Sequence, residues 1–238
     1  MRAACRLALQ TQQVVAGAIR PGVTTGSLDR IADDYIRSLG AVAAFKGYQG
    51  FPAATCISIN DELIHGIPGP RVIRDGDIVS VDLGVQYQGL IGDLSRTYAV
   101  GTVPAHILRL VDAASGACAA ACAVLKAGVR VGDVSHAVQS FCESRGLSVV
   151  RDYVGHGVGR KLHEPPQVPN YGAPRTGDVI PAGATLAIEP MVTLGAPEVK
   201  VLGDKWTVVT KDGLPCAHYE NTVLVTEAGC EVLTDPRD

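Results

Sequence analysis

Three features of the sequence point to an α+β fold in which two equivalent halves share one mostly antiparallel sheet. Apolar and glycine positions of the first 40 residues recur about 106 residues later. Two β-branched runs, Gly76–Val85 and Leu90–Val100, flank a short polar segment ending in Gly89, the signal of a long hairpin. Each half then carries isolated acids inside otherwise apolar strands. At 238 residues the chain fits a single domain, 1–238, with internal halves of roughly 1–103 and 104–238, long enough to bury a substantial core.

Residues 3–19 read as an amphipathic helix with apolar positions at Leu7, Val14, Val15, Ala18 and Ile19, closed by Arg20-Pro21-Gly22. Thr24 or Thr25 caps a second helix whose stripe is Leu28, Ile31, Ala32, Tyr35 and Ile36, with a stop at Gly40. A strand follows at Thr55–Ile59, and His65 stands just before a Gly/Pro turn. In the hairpin, a two-residue turn at Tyr87-Gln88 sets Asp82 directly opposite Asp93 on one face. Like charges about 5 Å apart destabilise such a pair, so either a cation lies between them, or a register slip leaves one aspartate buried on backbone bonds and exposes the other.

At an offset of 106 the second helix maps onto Val134, Ala137, Val138, Phe141, Cys142 and the stop at Gly146. Gly22 and Gly26 map onto Gly128 and Gly132, and the helix Leu110–Leu125 matches the first of the chain. With one inserted residue, Gly76 maps onto Gly183 and Asp82 onto Glu189, in a strand Ala184–Met191. Glu220, in a strand Tyr219–Thr226, then takes the part of Asp93. A period this long is a duplicated half-domain, not a solenoid. The twofold it implies would gather four strand-borne carboxylates around one central cleft, with helices on the outer face.

Composition excludes several classes. Apolar residues make up 47% and charged residues 19%, which rules out a disordered chain, and a net charge of −3 gives no case for nucleic acid or an acidic membrane as partner. Seven scattered cysteines without a Cys-x-x-Cys favour free thiols in a reducing cytoplasm. The N-terminus lacks a signal-peptide core, and the longest apolar stretch, Ala113–Leu125, reads as too short to cross a bilayer. Evenly spread charge and no exposed heptad suggest a monomer.

The chemistry concentrates on the four acids and on His156, in Gly155-His156-Gly157, whose flanking glycines would let a bound group approach closely. Four carboxylates and one imidazole are too many ligands for one ion. Two divalent ions of the Mn, Co, Fe or Zn kind, about 3.5 Å apart and bridged by two carboxylates, is the economical solution. His163 precedes a diproline expected to leave regular structure. His106 and His136 fall on helices and read as solvated, His218 as a supporting residue behind Glu220, and Trp206, in a strand Lys205–Thr210, as core or a pocket wall.

The ordered set Asp82, Asp93, His156, Glu189, Glu220 resembles the five metal ligands of the methionine aminopeptidase family. The resemblance runs nearly end to end, through Gly47-Tyr48-Gln49-Gly50-Phe51-Pro52, Ser58-Ile59-Asn60, His65-Gly66-Ile67-Pro68, Glu189-Pro190 and Tyr219-Glu220-Asn221-Thr222. The spacing from His156 to Glu189 leaves no room for a long inserted helical domain, so the chain looks like type I. The resemblance implies a pita-bread fold and hydrolytic removal of the initiator methionine from nascent polypeptides, with a small second residue preferred.

By the same analogy Asp93 and Glu220 bridge two ions, Asp82 chelates one, and His156 with Glu189 holds the other. A bridging hydroxide attacks the scissile carbonyl while Glu189 shuttles its proton to the leaving amine. His163 steadies the oxyanion, His65 contacts the amide nitrogen, and the substrate's free amine sits on the ion chelated by Asp82. Tyr48, Phe51, Cys56 and Trp206 match positions that form the methionine pocket. A transient ribosome contact is a further implied partner. Gln49 stands where many relatives have His, and Leu162 where they have Phe, a change that widens one wall of the pocket. Two rivals remain: a proline-specific aminopeptidase or dipeptidase on the same fold, and a peptide- or RNA-holding module without catalysis. Modules of that last kind tend to lose ligands, and here none is lost.

Overall fold

The computed structural model describes residues 1–235. Within them, α1 (Arg2–Ala18), α2 (Thr25–Ser38), α3 (Ala105–Val124) and α4 (Val131–Glu143) cover one face of a nine-stranded sheet. The strands are β1 (Val42–Ala43), β2 (Thr55–Ile59), β3 (Glu62–Ile64), β4 (Ile78–Tyr87), β5 (Leu90–Ala99), β6 (Ser148–Val149), β7 (Val154–Gly157), β8 (Glu164–Pro169), β9 (Thr185–Ile188), β10 (Met191–Thr193), β11 (Val199–Val201), β12 (Val208–Thr210), β13 (Cys216–His218), β14 (Glu220–Val225) and β15 (Cys230–Val232). The large sheet runs β1-β4-β5-β14-β9-β7-β8, with β2 also on β4 and β15 on β14. Every pairing in it is antiparallel.

Strand alternation sorts the side chains onto two faces. Val79, Val81, Leu83 and Val85 of β4, Leu94 of β5, Leu186 and Ile188 of β9, and Val223 and Val225 of β14 point to the helices and are buried there. Asp82, Asp93 and Glu220 therefore fall on the opposite face, where a smaller apolar cluster of Phe45, Phe51, Cys56, Leu162 and Ala187 gathers.

The duplication shows in the hydrogen bonds. Gly22, Thr25 and Gly26 donate through their backbone N–H to Ile73, Arg71 and Gly69 at 2.8–2.9 Å; Gly128, Val131 and Gly132 donate to Ile180, Asp178 and Thr176 at 2.9 Å. Donors are displaced by 106 positions and acceptors by 107, so the inserted residue lies between helix and acceptor strand in the second half. On α2, Leu28, Ala32 and Ile36 are buried, and their counterparts Val134, Val138 and Cys142 are buried on α4. Thr24 caps α2, accepting from the Ser27 N–H at 3.2 Å.

Five local expectations are corrected. The hairpin turn is Gln88-Gly89, with φ of 51° and 77°, because a two-residue turn of this hand needs positive φ at both central positions and glycine accepts it freely. Asp82 thus opposes Ser95, Asp93 opposes Gly84, and the two acids are diagonal neighbours on one face. On α1 the buried face runs through Ala8, Thr11, Gln12 and Val15 while Val14 is exposed; Gln12 Nε2 donates to the Val81 carbonyl at 2.9 Å. The diproline does not leave regular structure: Pro165 and Pro166 lie in β8, an edge strand whose missing N–H groups cost no ladder bond, beside a bulge at His156/Gly157. Trp206 precedes β12 instead of standing in a strand.

The fifth concerns α3, whose 20 residues include an 18-residue window of mean hydropathy 1.6, long and apolar enough to cross a membrane. Its Ile107, Leu110, Ala114, Ala117 and Ala121 pack into the core, and Arg109 and Asp112 lie on its outer side.

Candidate metal centre and its pocket

The two central strands set the site. β5 and β14 pair through Glu220↔Ser95 and Asn221↔Leu94, and Thr222 clasps Asp93 on both sides, its hydroxyl accepting from the Asp93 N–H at 3.0 Å and donating to the Asp93 carbonyl at 2.7 Å. Asp82 on β4 and His156 on β7 flank that pair. The strand expected over Ala184–Met191 breaks at Glu189-Pro190, where the chain leaves the large sheet and enters the three-stranded sheet β13-β10-β6. Tyr219 makes the reverse crossing between β13 and β14.

Ligand atoms of Asp93, His156 and Glu220 all lie within 4.8 Å of one another, and His156 Nε2 stands 3.3 Å from Glu189 Oε1. Asp82 Oδ1, Asp93 Oδ1 and Glu220 Oε1 are buried without a hydrogen-bond partner. Burial and mutual repulsion push Asp82, Glu189 and Glu220 well above the carboxylate range, and burial carries Asp93 to about 7. The same burial pushes His156 down to about 4. Buried, unpartnered carboxylate oxygens crowded on one point are costly unless a cation neutralises them. Hard oxygen donors with one neutral imidazole fit a divalent metal.

Glycines beside His156 serve the neighbouring strands. A Cβ on Gly155 would stand 2.5 Å from the Ala187 carbonyl oxygen, and one on Gly157 2.4 Å from that of Pro165. They let β7 lie tight between β8 and β9, which fixes the imidazole over the acids.

A cavity of about 200 Å³ opens above this floor. All the sequence-derived pocket residues line it: Tyr48, Phe51, Cys56, His65, Leu162, His163 and Trp206. Phe51 meets Trp206 edge-on at 5.1 Å between centroids. His65, with its pKa lowered to about 4 by burial, packs edge-on against Tyr153 and Trp206. His163 lies at the mouth, its ring centroid 4.3 Å from that of His156, with its Nδ1 2.7 Å from the Tyr48 hydroxyl. Gln49 Nε2 donates to that hydroxyl at 3.3 Å; with the phenol proton turned to His163 Nδ1, the imidazole carries its own proton on Nε2.

Phe45, Ile64, Tyr153 and Met191 also line the cavity and were not singled out in the sequence. A Cβ on Gly84 would stand 2.8 Å from Phe45 Cε1, so that glycine makes room for the ring. His106 and His136 are exposed, as expected, and His218 is fully buried with Nε2 3.6 Å from Glu189 Oε2.

The model of metallopeptidase family M24 matches residues 1–227. The chain is 46% identical to methionine aminopeptidase 1 of Bacillus subtilis over 98% of its own length and 94% of that protein's. A solved structure of methionine aminopeptidase from Thermotoga maritima superposes with a TM-score of 0.97 at 47% identity, covering 99% of this chain and 95% of that one. An Xaa-Pro dipeptidase from Bacillus anthracis shares the fold at a TM-score of 0.79 and 22% identity, with 98% of this chain and 59% of that chain covered.

Proposed function

We propose, since this chain belongs to metallopeptidase family M24, that it is the aminopeptidase that removes the N-terminal methionine from nascent polypeptides. The observation that carries the reading is the set of three buried carboxylates, Asp82, Asp93 and Glu220, with His156 and the partly buried Glu189, at the floor of a cavity walled by Phe51, Cys56, Leu162 and Trp206. Relatives of 46 and 47% identity bearing that activity in their names support it.

Two divalent ions, of cobalt, manganese, iron or zinc, are the cofactors this donor set suits. Asp93 and Glu220 would bridge them, Asp82 would chelate one, and His156 with Glu189 would hold the other. When bound, such ions polarise a carbonyl and make water acidic enough to attack at neutral pH. Glu189 moves the proton from the attacking water to the leaving amine. The His163 Nε2–H donates to the carbonyl oxygen as charge develops on it, and His65 meets the scissile amide nitrogen. Tyr48, Phe51, Cys56, Leu162 and Trp206 grip the methionine side chain, and the second residue is small.

The whole chain, 1–238, acts as one catalytic domain whose halves, 1–103 and 104–238, each supply ligands. It works as a monomer in the cytoplasm, touching the ribosome transiently as substrate emerges, with no nucleic acid or membrane as partner. Seven free cysteines suit that reducing compartment. The test is release of methionine from Met-Gly-x peptides after chelation and metal add-back. Turnover that returns with metal is expected; cleavage of x-Pro peptides but not Met-Ala peptides would place the enzyme with the dipeptidases instead.

A further inference from the structure

On the helix side of the sheet, α3 carries Cys118 and Cys122 one turn apart, and Cys230 of β15 lies against them. Cys230 donates to the Cys122 carbonyl at 3.4 Å. Cys118 is enclosed, donating to the Ile188 carbonyl at 3.5 Å and accepting from Asn221 Nδ2 at 3.6 Å. Cys122 and Cys230 are only half-buried, and Cys122 lines a surface cleft with Ser115, Ala119 and Tyr219. The aminopeptidase chemistry uses none of the three.

We propose that Cys122 and Cys230 form an oxidation site, where hydrogen peroxide closes a reversible disulfide between α3 and β15. The choice of pair follows from helix geometry. Side chains four apart on a helix hold their Cβ atoms about 5–6 Å from each other, whereas a disulfide needs about 3.5–4.5 Å, so joining Cys118 to Cys122 requires unwinding α3. Cys230 sits on a separate element and is free of that limit. A central thiol can also lend its S–H to whichever neighbour is deprotonated, which lowers the pKa of Cys230 and Cys118 and raises that of Cys122.

In the first step the Cys230 thiolate attacks one peroxide oxygen, the O–O bond breaks, and hydroxide leaves to become water. A sulfenic acid remains on Cys230. The Cys122 sulfur then attacks that sulfur, the S–O bond breaks, and the departing hydroxide takes the Cys122 proton as a second water. Peroxide gains two electrons and each sulfur gives up one.

The reduced holoenzyme is exposed to hydrogen peroxide, its remaining thiols are alkylated, and its peptides are mapped by mass spectrometry. A Cys122–Cys230 cross-link that dithiothreitol reverses is expected, with a higher Tm for the oxidised form because the bond joins positions 108 apart. The C230S variant should lose the cross-link and keep the activity of the untreated enzyme. A cross-link between any other pair, irreversible acids alone, or seven unreacted thiols would overturn the assignment; mapping of the unsubstituted enzyme decides it even if C230S does not fold.

Discussion

The Nε2 atom of His218 stands 3.6 Å from Oε2 of Glu189, and neither ring nitrogen of this histidine has a hydrogen-bond partner. Burial holds the imidazole neutral, its pKa pushed down to about 3. One N–H is thus available to steer the carboxylate from behind while His156 meets its other oxygen at 3.3 Å. Residues that orient metal ligands in this way are worth about 10–100-fold in metal affinity. His218→Ala is expected to weaken divalent-ion binding by that order in calorimetric titration, whereas His218→Gln, which keeps an N–H, retains most of it. Unchanged affinity in both variants would show that Glu189 does not depend on this neighbour.

The metal-free protein should lose stability as pH rises from about 6.5 to 8. Asp82, Asp93, Glu189 and Glu220 have folded pKa values above their unfolded ones, Asp93 at about 7, so the folded state binds more protons and is favoured at lower pH. Below about 6.5, His65, His156, His163 and His218, all lowered, act in the opposite sense. Above it only the carboxylates remain. Each net proton is worth about 1.4 kcal/mol per pH unit, or roughly 3–6 °C in Tm for a chain of this size. Thermal melts in chelator across that range check the slope, which Asp93→Asn should reduce and bound metal should abolish. A flat or rising Tm would contradict the burial argument.

Tyr48→Phe removes the hydroxyl that sits 2.7 Å from His163 Nδ1. The ring then loses the contact that keeps its proton on Nε2, so transition-state stabilisation should suffer more than binding. We expect kcat to fall about tenfold with KM changed less than threefold, in steady-state assays on a Met-Ala peptide. A rise in KM alone would assign Tyr48 to the pocket wall only.

That Asp82, Asp93, Glu189 and Glu220 would meet at one cavity was legible because acids inside apolar strands are costly to leave alone, and because the repeat placed Glu189 by its match to Asp82. The turn was misplaced by one residue, yet both acids stayed on the same face. Moving a two-residue turn by one position changes the opposing partner by two, which preserves strand parity. What stayed hidden comes from tertiary packing. Ile64, Tyr153 and Met191 reach the cavity from three separate segments, and no local pattern joins them. His218 was tied to Glu220 by strand alternation, but the chain changes sheets at Tyr219, and the histidine meets Glu189 instead.

The repeat itself makes a graded stability prediction at its two matching glycines. A Cβ on Gly132 would stand 2.3 Å from both the Ala173 carbonyl oxygen and Thr176 Oγ1, and one on Gly26 would stand 2.9 Å from the Gly69 carbonyl oxygen. Both contacts lie where a helix start donates to the returning chain, Gly132 N–H to Thr176 and Gly26 N–H to Gly69, so relief requires pulling that hydrogen bond apart. The closer approach leaves less room to adjust. Gly132→Ala is therefore expected to cost about 2–4 kcal/mol in urea unfolding and Gly26→Ala about 1–2 kcal/mol. Equal or negligible losses would mean the two helix entries are not packed as tightly as their shared glycines imply.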